Sequence, residues 1–158
     1  MNQSLKTGFS FGLTSAVITT LGLIIGLEAG THSRLVVLGG ILTIAIADAF
    51  SDALGMHVSV ESENHHTPKQ IWASTAATFL SKLVFALTFI VPVIFLNLNQ
   101  AIIINIIWGF LILGIFSYYL AKLQKIKPLN VILEHLFTGA IVIIVAHFVG
   151  QWIGANLK

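Results

Sequence analysis

The sequence predicts an all-α integral membrane protein with five transmembrane helices, and three observations lead there. Hydrophobic residues make up 56% of the 158, charged residues only 9%, and mean hydropathy is +0.95, more apolar surface than one water-soluble core of this length could hide. Apolar runs long enough to cross a bilayer recur five times, joined by short polar links. Period-two alternation is missing, which argues against a membrane barrel.

The first span is read at Gly8–Leu27. Its run of about 20 apolar residues has no small-residue cleavage site behind a short core, and Lys6 is its only flanking charge, so it is expected to remain as a span and not to leave as a signal. The others follow at Leu35–Val60, Ile71–Leu98, Ala101–Leu123 and Leu129–Ile153, with links at Glu28–Arg34, Glu61–Gln70, Asn97–Gln100 and Gln124–Pro128. No linker or low-complexity tract interrupts them, so residues 1–158 are expected to form one five-helix domain. Lysine placement predicts the orientation. With the N-terminus cytosolic, Lys6, Lys69, Lys122, Lys125 and Lys127 lie inside and only Arg34 and Lys158 outside, which leaves the C-terminus outside. Five spans without an internal repeat do not make two matching halves, so one copy is not expected to enclose a pathway alone.

Composition also narrows the chemistry. The formal charge of +2 reflects loop lysines and predicts no nucleic-acid partner. There is no cysteine, so a metal here would meet oxygen, imidazole or thioether ligands. No nucleophile and base pairing or closed catalytic metal motif is present, and the chain is not expected to be an enzyme or to hold a permanent cofactor.

The most informative residues are Asp48 and Asp52, one helical turn apart inside the second span. A carboxylate at that depth costs several kcal/mol unless it is paired, hydrated or holding a cation, which makes it functional by default. At about 100° per residue, Asp48, Asp52, Met56, Ser59 and Glu63 share one stripe that runs toward the cytosolic loop, while His57 and Glu61 point elsewhere. The first span carries a seam of small residues, Gly8, Gly12, Ser15, Thr19, Gly22 and Gly26, suited to close helix contact. At about 1.5 Å per residue, Ser15 and Asp52 fall at one level, and Asp48 and Lys82 at another roughly 6 to 8 Å deeper. Lys82 is therefore expected to pair with Asp48 as an ion pair or a gate. His147, deep in the fifth span, is expected to be a hydrogen-bonded imidazole.

These residues carry a resemblance. The segment Phe11-Gly12-Leu13-Thr14-Ser15, the segment Ala47-Asp48-Ala49-Phe50-Ser51-Asp52-Ala53-Leu54-Gly55-Met56 and the trailing Ser59-Val60-Glu61 resemble the first two spans of the vacuolar iron transporter family, with further likeness around Ala76–Leu80, Pro92 and Gly139–Gly150. The resemblance implies a homodimer whose first and second spans line a path between subunits, and proton-coupled export of Fe²⁺ or Mn²⁺ from the cytosol. It also shows departures. Ser15 stands where the family usually has an aspartate, Asp52 where it has a methionine, Met56 where a glutamate is common, and Lys82 where the residue is normally apolar. The acidic cytosolic domain that many members carry after the second span is absent, and only about ten residues join the helices there.

The expected metal ligands are thus Asp52, Met56, Asp48 and Glu63, with Ser15, Thr19 and Ser59 lining the path and Glu61, His65 and His66 as a small cytosolic collecting patch. The partners expected are the metal ion, membrane lipid and a second copy of the chain. The host membrane would be the inner (plasma) membrane of a prokaryote or an organelle membrane otherwise. The alternative is a membrane module that transports nothing, whose carboxylates lock helices together and whose loop binds metal or a partner protein.

Overall fold

The structure, a computed structural model, describes residues 3–157; Lys158, one of the two charges assigned to the outer side, lies outside them. Five helices are long and apolar enough to cross a membrane: α1 Gln3–Thr31, α2 Arg34–Ser62, α3 Pro68–Phe95, α4 Leu98–Gln124 and α5 Pro128–Asn156. No strand forms among the described residues. The protein is an integral membrane protein, and each helix overruns its apolar core by a few residues.

Local sequence explains the ends. Ser33 accepts a hydrogen bond from the Val36 amide to start α2. Thr67 and Gln70 form a reciprocal capping box ahead of α3, with Pro68 at a position that needs no amide. Asn97 accepts from the Gln100 amide at 3.0 Å, so α4 begins at Leu98 and the expected four-residue turn shrinks to two residues. Pro128 opens α5 in the same way as Pro68 opens α3.

Two helices depart from regularity. Residues Ile44–Asp48 of α2 form a π turn, where Ala45 packs against Ala16 and Ala86. In α3 the regular helix breaks at Phe89, because Pro92 has no amide to offer the preceding turn. At the break Asn105 of α4 donates to the Phe89 carbonyl at 3.1 Å, and the Trp108 indole donates to the Thr88 hydroxyl at 3.0 Å. A break inside lipid survives only when neighbouring helices supply such partners.

α1 is the central post, enclosed by α3 on one side and α5 on the other. Bilayer lipid is as apolar as leucine, so close packing and not water exclusion must hold the helices. The small-residue seam serves this within the subunit. A side chain at Gly8 would land on the Ser74 carbonyl and one at Gly12 on the Thr78 carbonyl of α3, whereas Gly22 meets Val142 and Gly26 meets Ala146 of α5. The close helix contact expected of the seam is made inside the subunit, with its glycines spent on α3 and α5. Around it, Leu13, Val17, Leu21, Ile24, Phe89, Leu113 and Phe116 form the apolar core.

Candidate functional site

The intramembrane acids sit at the end of the π turn and one helical turn beyond it, where α1, α2 and α3 meet. Asp48 is the last residue of that turn, and regular helix resumes at Ala49, so Asp48 and Asp52 keep their four-residue spacing and face the same neighbour. That neighbour is Lys82. Its ammonium lies 2.5 Å from an Asp48 carboxylate oxygen, bonds Asp52 Oδ2 as well, and donates to Ser15 Oγ at 2.9 Å. Ser15 in turn donates to Asp52 Oδ2 at 2.6 Å, and Thr19 Oγ1 donates to the Ser15 carbonyl at 2.7 Å.

The pairing by depth is therefore met for Ser15 with Asp52, and Lys82 reaches both acids instead of Asp48 alone. Lys82 is wholly enclosed, whereas the side chains of Asp48 and Asp52 remain 31% and 18% exposed in the single chain. Counted formally, two carboxylates against one ammonium leave one negative charge, and the open side of the cluster is the acidic side.

Met56 does not join it. Its side chain is buried with Val60 and Ile71 between α2 and α3. Ser59 and Glu61 are exposed, and His57 pins α2 to α3 through Thr75 Oγ1 at 3.0 Å and an edge contact with Trp72. In the α2–α3 loop, Glu63 Oε2 lies 2.8 Å from His66 Nε2 and 3.4 Å from His65 Nε2, with the two rings stacked at 4.3 Å. These three offer ligand atoms within 4.8 Å of one another, the arrangement a divalent ion can gather.

Sequence reasoning passed over the outward face of α2. Gly39, Thr43, Ala47, Ser51, Gly55 and Ser59 recur every fourth residue and are all exposed, and a side chain added at Gly39 or Gly55 would meet nothing within 4 Å. The four-residue period was a visible signal. In a regular helix it drifts by about 40° per step, and the wider π turn takes back part of that drift.

The family model described as VIT family matches residues 9–72. Over these residues the chain is similar to the VIT family. The match runs from Phe9 in α1 through Trp72 at the start of α3, so it contains Ser15, Asp48, Asp52 and the loop cluster, while Lys82 lies beyond it. No curated protein matches the chain. The similarity points to metal-ion transport by a membrane protein, and not to an enzyme.

Proposed function

We propose that this protein, similar to the VIT family over residues 9–72, exports a divalent transition-metal ion, Fe²⁺ or Mn²⁺, from the cytosol along a path between α1 and α2 of two copies, with proton exchange in the opposite sense. Asp52 and Asp48 are the carboxylate ligands, Ser15 and Thr19 the hydroxyl wall, and Glu63, His65 and His66 the collecting patch at the cytosolic mouth. The observation that carries this reading is an acid pair inside a membrane helix that stays partly open although a lysine already satisfies it.

The chain's own topology supports the direction. The alternation of five helices brings Lys6, Lys69, Lys122, Lys125 and Lys127 to one end, together with the loop cluster, and Arg34 to the other. The small-residue stripe on α2 supports the second copy: it neighbours both acids in sequence and is free to meet its symmetry mate, so each carboxylate would appear twice beside the contact. In this reading Lys82 is a tethered cation. A metal ion takes the acids only as the ammonium swings off them, while Met56 reaches the path by turning its flexible chain out of the Val60 and Ile71 contact.

The enclosed Lys82 also favours the second reading, in which the triad is a helix clasp and nothing crosses. Flux of Mn²⁺ into vesicles holding purified protein, with and without an imposed pH gradient, separates them. Export requires native flux that Asp52→Asn abolishes and a metal preference that Met56→Ala alters. Native flux that both variants retain would take these residues out of the path.

A further inference from the structure

The end of the bundle opposite the loop cluster holds a second polar site. α1 and α5 run parallel there in fixed register, Gly22 opposite Val142, Gly26 opposite Ala146 and Gly30 opposite Gly150, with backbones so close that a side chain at Gly154 would come 2.7 Å from the Gly30 carbonyl. The same register sets Glu28 level with His147 to within a residue or two. Below the last turn of α1 the two helices frame a cavity of about 590 Å³ lined by Glu28, His32, His147 and Gln151. Glu28 lies in the last turn of α1 and His32 just past its end at Thr31, while His147 and Gln151 are four apart on one side of α5, so both chain segments offer donor-bearing side chains to the cavity.

We infer that this cavity binds a divalent transition-metal ion, with Glu28, His32 and His147 as its protein ligands and Gln151 beside them. Glu28 and His32 are already together, Oε1 to Nδ1 at 3.2 Å. His147, expected from sequence to be hydrogen-bonded, makes no hydrogen bond among the described residues, and its ring stands edge-on to Phe148. Its half-buried ring lines the cavity wall with its nitrogens free to take a ligand. No lysine or arginine lines the cavity, the only formal charge on its wall is acidic, and the free carbonyls ending α1 add partial negative charge. All of this selects a cation. Two imidazoles with one carboxylate select a transition metal over Mg²⁺ or Ca²⁺, and a cavity of this size leaves room for waters to complete the shell.

The site stands apart from the Asp52 cluster and does not need the transport reading. The test is Co²⁺ binding to the purified full chain in micelles, followed by visible absorption, in a background of His65→Ala and His66→Ala that silences the loop imidazoles. His147→Gln and Glu28→Gln should each weaken the affinity about tenfold or more. His32→Ala should weaken it too, and because that side chain is 78% exposed at a helix end, its loss cannot be mistaken for misfolding. Binding in all three variants equal to that of the background would overturn the site. Asp52→Asn leaves this binding in place while abolishing flux, so the two proposals fail separately.

Discussion

Lys82 decides how the acids behave. An ammonium with no exposure, held by two carboxylates and a serine hydroxyl, is stable only while those partners remain, and losing one side of such a buried pair typically costs about 3–5 kcal/mol. Lys82→Met strips the counter-charge from two neighbouring acids and should lower the melting temperature in micelles. Added Mn²⁺ should recover part of that loss, because the ion fills the place the ammonium left; melting that Mn²⁺ does not move would show the acids unable to take a metal. The level shared by Ser15 and Asp52 was legible from residue counting along two helices. The sharing of Lys82 between both acids was not, since a four-carbon stem reaches across more than one helical turn and depth alone does not fix its end point. Met56 is a related case: helical phase puts it on the acid stripe, and the approach of α3 buries that part of the stripe against Ile71.

At the scale of the helices, backbone contact replaces hydrophobic exclusion as the source of order. Gly12 lies where any added methyl would come 2.5 Å from the Thr78 carbonyl, while Gly114 has nothing within 4 Å. Gly12→Ala should therefore destabilise by about 1–3 kcal/mol through forced separation of α1 and α3, and Gly114→Ala should be neutral or slightly stabilising. Thermal melting of the two variants side by side checks this, and equal melting would contradict it. All five spans could be read from apolar length, because lipid demands about 20 residues of it whatever the packing. The π turn and the break at Phe89 could not be placed that way. Pro92 announces trouble in α3, yet where the chain breaks depends on Asn105 reaching over from α4 to satisfy the Phe89 carbonyl. The glycine seam was equally visible as a seam, but its partner is a tertiary fact: nothing in α1 says that α3 and α5 will fill it.

For the whole molecule, the open question is what covers α2. Its exposed stripe of Gly39, Thr43, Ala47, Ser51, Gly55 and Ser59 is the surface through which a second copy would bring its acids alongside those of the first. Ser51→Trp places a bulky ring in the middle of that stripe without touching the subunit core, and should convert a dimer to a monomer by light scattering in micelles; an unchanged mass would put the contact elsewhere. Transport and mere architecture differ most sharply on what happens when charge is removed in balance. The double variant Asp52→Asn with Lys82→Met keeps Asp48 and deletes one carboxylate and the cation together, so the cluster holds the native count of one net negative charge, which either change alone would shift by one unit. Mn²⁺ flux into vesicles containing this variant is the decisive measurement. A metal path through Asp52 predicts that this variant carries no ion, and native flux from the double variant would contradict it.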